Sequence, residues 1–338
     1  SPSIATGASN PTVAFMMPDV DTARWEGKDT PFFTDAMKSI CPNCKVLHYN
    51  AKNDAGQQLQ QVEAAVTAGA KVLVICPVDG KSIAPAVKAA KAKGVSVISY
   101  DRLIYNSPVD YYLVFDPMQV GAAQGKALVD RLKSKGITKG NIIAINGAPT
   151  DSDAPHYRDS AYAVLKGAGY TIAKAYDTPN WDPAEAQRET DQAVTQLGKK
   201  NFVAVLSAND GMATAVVKSL QAAGVNPIVP VTGQDAELTA IQRILMGTQY
   251  MTVYTPLDQE AGGAAKLANA LLKGQKTPSG MVNKSIPNGS VSVPSVFLAS
   301  EIVTQKSINQ TVIAGKFWKA SDICTEAFKT ACAKYGIK

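Results

Sequence analysis

Short runs rich in Val and Ile, apolar at successive positions, alternate with amphipathic stretches along nearly the whole chain. A strand that is apolar on both faces has to be covered on both sides, which points to a parallel sheet sandwiched by helices. Thr12 to Met17, Lys45 to Asn50, Lys71 to Cys76 and Val95 to Tyr100 read as strands, with helices expected over Pro31 to Ile40, Gly56 to Ala68 and Ile83 to Ala92. A second alternation begins after Tyr111 to Phe115. Helices are expected near Val120 to Lys133, Ala154 to Gly167, Pro183 to Leu197, Gly211 to Ala223 and Ala236 to Met246, and strands at Asn141 to Asn146, Ala204 to Ser207 and Ile228 to Thr232. The expected fold class is therefore α/β, with two lobes of Rossmann-like design. At 338 residues the chain exceeds the usual size of one core.

The remainder cannot make a third lobe. Leu257 to Leu272 is an amphipathic helix and Val293 to Leu298 an apolar run, and one helix with one or two strands cannot bury its own face. The chain is expected to cross between lobes more than once: a tail at 1–10, an N-terminal lobe of 11–114 plus 257–293, and a C-terminal lobe of 115–256 plus 294–338, the lobe of 306–338 left open.

Six apolar runs stop at clusters of Asp, Asn, Arg or Trp: Met16 to Trp25, Ile98 to Arg102, Ile143 to Asp153, Val205 to Asp210, Val229 to Asp235 and Val253 to Pro256. Open α/β sheets bind ligands at the carboxyl ends of their strands. Polar groups at such ends in both halves describe a ligand cleft between two lobes.

Composition removes several classes. Lys plus Arg exceed Asp plus Glu by 34 − 28 = 6, as single lysines such as Lys81, Lys88, Lys91 and Lys93, with no basic stripe for nucleic acid. No apolar run approaches the roughly 20 residues of a membrane span. The small polar opening SPSIATGASNP suits a mature exported protein or lipoprotein stalk. Cys41 and Cys44 are close enough for a local bridge, Cys76 sits in an apolar strand as a buried thiol, and Cys324 with Cys332 form the second candidate pair. On one continuous helix the last two would stand about 12 Å apart, so pairing them requires a break between them.

Catalytic constellations are missing. His48 and His156 lack metal-ligand company, and neither a nucleophile elbow nor a phosphate-binding glycine loop occurs. No cofactor is expected. Asp151 and Asp153 could cap a helix, bind a ligand or act as an acid/base pair, and Arg158 offers charge compensation. Asp101 with Arg102 could be a structural ion pair, or could accept from one ligand hydroxyl and donate to the next. Trp25 and Trp181 lie in polar loops, WEGKD and NWDP. Either could pack in a core, but an indole is also what a pyranose stacks on. Asn209 with Asp210, and Gln234 with Asp235, could be helix caps or ligand contacts.

In order along the chain, AR-W at Ala23 to Trp25, SYDR at Ser99 to Arg102, GAPTDSDA at Gly147 to Ala154, SAND at Ser207 to Asp210, TGQDAEL at Thr232 to Leu238 and MTVY at Met251 to Tyr254 resemble the type I periplasmic sugar-binding proteins of ABC importers, in the D-xylose-binding branch. The resemblance covers about 290 residues. It implies two lobes joined by three crossovers, closing like a flytrap on one monosaccharide and presenting it to a membrane permease, with a chemoreceptor as a further partner. It implies a monomer, an exported location, and no enzymatic activity. Carried over by position, Arg24, Trp25, Asp101 and Arg102 come from the first lobe, and Asp151, Asp153, Trp181, Asn209 and Asp235 from the second or its hinge side.

Two positions depart from that branch. Asp153 stands where xylose binders usually have Asn, and Thr255 where they usually have Lys, a charged donor whose hydrogen bond is worth roughly 1.5 to 3 kcal/mol. The site is thereby expected to hold D-xylose, D-glucose or a similar aldopyranose. Two other classes carry less support. A sugar-sensing repressor needs an N-terminal helix-turn-helix, for which a first strand near Thr12 leaves no space. A glycosidase needs two carboxylates facing one bond and a subsite for the leaving group.

Overall fold

The computed structural model describes residues 10–338, and all but the last residue of the expected tail lies outside them. In chain order the elements of the first half are β1 (Thr12–Met17), α1 (Thr30–Ile40), β2 (Lys45–Asn50), α2 (Ala55–Thr67), β3 (Ala70–Ile75), α3 (Ala84–Ala92), β4 (Ser96–Tyr100) and β5 (Tyr111–Phe115). Then come α4 (Pro117–Ser134), β6 (Gly140–Asn146), α5 (Ala154–Gly167), β7 (Tyr170–Asp177), α6 (Pro183–Leu197), β8 (Ala204–Ser207), α7 (Asp210–Ala222), α8 (Leu238–Met246) and β9 (Thr252–Tyr254). The last are α9 (Leu257–Leu272), β10 (Lys284–Pro287), β11 (Ser292–Leu298), β12 (Glu301–Val303), α10 (Ala320–Ile323) and α11 (Lys329–Lys334). This is the α/β class expected from the alternation. No helix is long and apolar enough to cross a membrane.

The chain divides into two compact units. One holds residues 10–20, Trp25–Val114 and Leu257–Phe297, and the other Asp21–Arg24, Phe115–Pro256 and Leu298–Lys338.

The first unit is built on a seven-stranded sheet in the order β10-β11-β5-β4-β3-β1-β2. From β2 to β5 the neighbours are parallel, and β10 with β11 adds an antiparallel hairpin. Alternation along β1 shows why both faces must be apolar. Ala14 and Met16 join Leu73, Ile75 and Val97 on one side, while Phe15 stacks on Phe33 of α1 at 4.3 Å and meets Tyr100 edge-on at 5.3 Å.

The second unit has β7-β6-β8 parallel and a β12-β9 antiparallel pair. Ile143 and Ile145 of β6 point into one cluster with Val205 and Val216. Ile142 and Ala144 point into the other with Leu165 and Leu206. Helices α4 and α5 meet through Gly121, where a Cβ would overlap the Tyr157 carbonyl and the Ser160 hydroxyl.

Two strand expectations need correction. Ile228 to Thr232 forms only an isolated bridge from Val231 to Val205, because Pro230 has no N–H for the ladder and contributes just its carbonyl, to Val205 at 3.0 Å. Strand β7 was not foreseen. It is an edge strand with mostly half-exposed positions, so it lacks the apolar run of its neighbours.

Both cysteine pairs form bridges, with Cα separations of 5.3 Å for Cys41–Cys44 and 5.9 Å for Cys324–Cys332, and Cys76 is a buried thiol outside both bridges. The break needed between Cys324 and Cys332 exists: α10 ends at Cys324, a turn of 3-10 helix follows, and α11 restarts at Lys329.

Because the atoms that crowd Gly121 include the Tyr157 backbone carbonyl, which cannot swing away, Gly121→Ala is expected to cost about 1–3 kcal/mol of stability. A urea melt with an unchanged midpoint would contradict this packing account.

Candidate functional site

In the first unit, the turn after β4 carries Asp101 and Arg102. Asp101 adopts a left-handed backbone, φ 67°, which turns the chain sharply out of the sheet while its N–H still donates to Leu113 at 2.7 Å. Ser99 braces the turn, its hydroxyl donating to the Arg102 carbonyl and accepting from the Ile104 N–H. The Arg102 guanidinium donates to the Pro77 carbonyl at 3.1 Å and lies 5.6 Å from the centre of the Trp25 ring. Trp25, expected in an open loop, opens a π-helical turn, Trp25–Asp29, and is 2 % exposed. Trp25 and Arg102 thus bring an aromatic face and a guanidinium together, with Asp101 the residue before Arg102 on the same turn.

Arg24 differs from its neighbours. Segment Asp21–Arg24 belongs to the second unit rather than the first, where the resemblance had placed it. Glu237 supplies the physical reason, its carboxylate accepting the backbone N–H of Ala23.

In the second unit, β6 runs out into the loop with Asp151 and Asp153. One Asp151 oxygen accepts from the Asp153 N–H at 2.8 Å and the other from the Trp181 indole N–H at 3.1 Å. Asp153 precedes α5 without a side-chain capping bond, which removes the capping role weighed for it. Arg158 pairs with Asp159 and Asp177, not with these two. Trp181 is reached through two successive left-handed residues, Asn180 and Trp181, both at φ 56°. Its ring lies over Gly147, where a Cβ would overlap it, and meets Tyr157 edge-on at 6.2 Å. Gly147, the first residue of GAPTDSDA, lets the indole lie directly against the backbone.

Asn209 takes the capping role weighed for it. Its side-chain oxygen caps α7 by accepting from the Met212 N–H at 2.9 Å, which leaves the amide N–H₂ for another acceptor. Asp210 turns inward instead, where Gln249, Thr252 and the Glu237 N–H all donate to its carboxylate. Asp235 and Ala236 stand in the left-handed region at φ 101° and 48°. Such residues cost of order 1–3 kcal/mol each and persist only where surroundings hold them. Here the Asp235 N–H donates to Val253 and the Ala236 N–H to the Thr252 hydroxyl, so β9 holds the turn. Thr255, just past β9, is 1 % exposed, and its hydroxyl has no hydrogen-bond partner among the described residues.

Asp153, Asn209, Asp235 and Thr255 therefore follow the carboxyl ends of β6, β8, the Val231 bridge and β9 within one unit. Among the described residues no group of three or more His, Cys, Asp or Glu side chains could hold a metal ion. Glu237 escaped the sequence reading because TGQDAEL offers Asp235 as the more evident polar group. Burial and the nearby Asp210 carboxylate push Glu237 up to about 7, with Arg243 and the Ala23 N–H acting against them.

Parallel α/β units with aromatic and charged side chains at their strand exits define a ligand-binding protein of the doubly wound kind. The chain belongs to the periplasmic binding protein domain family, which it matches over residues 13–276. It is 33% identical over 324 residues to the D-xylose-binding periplasmic protein of Escherichia coli, covering 95% of this chain and 94% of that one. It is 34% identical over 343 residues to the multiple sugar-binding periplasmic receptor ChvE of Rhizobium radiobacter, with 94% of each chain covered. An ABC transporter solute-binding protein of Clostridium phytofermentans, solved with β-D-glucose bound, superposes with a TM-score of 0.85 at 29% identity over 92% of this chain and 99% of that one.

Glu237 gives a pH prediction. With its folded pKa raised above the ordinary 4.5, its stabilising contribution is complete below about 4.5 and is lost as pH rises through about 7. Glu237→Gln, a mimic of the protonated form, is expected to gain about 1–2 kcal/mol on the parent protein between pH 5 and pH 8. Thermal melts across that range would refute the assignment if the two curves ran parallel.

Proposed function

We propose that the chain captures one monosaccharide, D-glucose, D-xylose or a similar aldopyranose, and hands it to the permease of an ABC importer. The observation that carries this reading is an indole held beside a charged side chain in each unit: Trp25 against the Arg102 guanidinium, the residue after Asp101, and Trp181 bonded to Asp151. A pyranose has apolar C–H faces and a rim of hydroxyls, so stacking plus fixed acceptors and donors is the chemistry that recognises it. The names of the relatives, xylose-binding and multiple sugar-binding, and the glucose held by the solved neighbour support the same class.

The residues we assign to the sugar are Arg24, Trp25, Asp101, Arg102, Asp151, Asp153, Trp181, Asn209, Asp235 and Thr255, acting together on one molecule. Binding first to one unit and then gaining the contacts of the other would stabilise a closed form through differential contacts. A micromolar dissociation constant corresponds to about −8 kcal/mol, within reach of a few charge-assisted bonds and two stacked rings after ordering costs. No bond is made or broken in this reading. Both Asp151 oxygens are already engaged, by Trp181 and Asp153, which suits a fixed acceptor better than an acid/base group. An exported location, periplasmic or anchored at the cell surface, goes with this role.

Thr255 inclines the choice of sugar. A buried hydroxyl without a partner costs roughly 1–3 kcal/mol unless a ligand satisfies it, and a short side chain leaves room for a hexose hydroxymethyl group.

Calorimetry over a panel of monosaccharides tests the proposal. D-Glucose or D-xylose should give heat at one site per chain, and Trp181→Ala and Asp235→Ala should each weaken binding by about a hundredfold, or nearly 3 kcal/mol, with the melting temperature little changed. Silence across the panel would sink the proposed function, and full affinity in both variants would show that the site is wrongly assigned.

A further inference from the structure

The chain after β12 packs within the second unit and ends in a knot of short helices closed by Cys324–Cys332. The contacts of this tail are specific. The Trp318 indole N–H donates to the carbonyl of Ala236 at 2.8 Å. Phe317 lies 5.3 Å from the Tyr254 ring and meets Trp318 edge-on at 5.5 Å. At Gly315 a Cβ would overlap the Tyr254 hydroxyl, so the tail backbone runs directly against that side chain.

Ala236 follows Asp235, and Tyr254 precedes Thr255. The tail therefore touches the immediate neighbours of two residues assigned to the sugar. The Asp235–Ala236 turn has two consecutive left-handed residues, at φ 101° and 48°, neither of them glycine. Strand β9 holds its N–H side, through Val253 for Asp235 and Thr252 for Ala236. The Ala236 carbonyl is held from the other side, by the Trp318 indole. Without the indole donor the Ala236–Glu237 peptide could rotate, and the Asp235 carboxylate would move with it. Gln242 of α8 donates to the Ile323 carbonyl at 3.1 Å, next to Cys324, which ties the disulfide-closed knot to the helix that follows this same turn.

We propose that Trp318 is a positioning residue for sugar binding, holding the Asp235–Ala236 turn so that the Asp235 carboxylate stands where the sugar needs it, with the Cys324–Cys332 loop keeping the indole in place. The proposal rests on the assignment of Asp235 to the sugar.

The test is a double-mutant cycle read by calorimetry with D-glucose and D-xylose on the full chain. Trp318→Phe keeps the ring and removes the donor. It should weaken binding about tenfold in the parent protein. In an Asp235→Asn background the same change should alter affinity by less than about twofold, because the carboxylate it positions is gone. A merely structural role would cost the same factor in both backgrounds, and that result, or unchanged affinity in Trp318→Phe, would overturn the proposal. Should Trp318→Phe fail to fold by thermal melt, Cys324→Ser/Cys332→Ser, which leaves the indole and loosens only its support, reads the same coupling. A smaller loss of a few fold, again absent with Asp235→Asn, supports the proposal, and an equal loss in both backgrounds overturns it. Absence of any sugar heat from the parent protein would instead defeat the proposed function, and this inference with it.

Discussion

Parallel pairing is the constraint from which the rest follows. When neighbouring strands run the same way, their carboxyl ends all fall on one side, and the chain must leave the sheet there each time to enter a covering helix. Each exit is a place where backbone groups lose ladder partners and short polar side chains are needed to satisfy or redirect them. In the second unit this brings Asp153, Asn209 and Asp235 to the ends of β6, β8 and the Val231 bridge. In the first it brings Asp101 and Arg102 to the end of β4. The proposed sugar contacts are thus a by-product of sheet topology that side-chain choice has turned to recognition.

Three of the proposed site residues share a second property. Asp101, Trp181 and Asp235 all have positive φ, although none is glycine. Strained turns of this kind aim a side chain away from the direction an ordinary helix entry would give it, and the surroundings carry the strain. Ser99 braces the first, the Asp151 carboxylate and Gly147 receive the indole of the second, and β9 with Trp318 clasps the third. Asp210 shows the contrary case: a carboxylate at a strand exit that is wholly spent on internal donors and takes no part in the proposed site.

Much of the architecture was legible because burial on both faces writes continuous Val and Ile runs; β1, β3 and β4 appear within a residue or two of their expected bounds. Where one face is half-exposed the signal fades, which is why edge strand β7 went unseen. At Ile228 to Thr232 composition promised a strand, but Pro230 could not serve the ladder. The motifs named the residues proposed for the site; spacing could not reveal that Asp151 holds Trp181, that Arg24 groups with the second unit through Glu237 and Ala23, or that the tail reaches Ala236. Those facts depend on contacts between residues far apart in sequence, Ala23 with Glu237 and Ala236 with Trp318, which local spacing does not encode.

The central claim is that one sugar engages both units at once. Trp25 and Trp181 stand one in each unit, so their indole N–H resonances, assigned by single substitution, report on the two groups separately during a titration with D-glucose. The account predicts that both shift, along a single curve with one midpoint. A shift confined to one indole, or two curves with different midpoints, would contradict it.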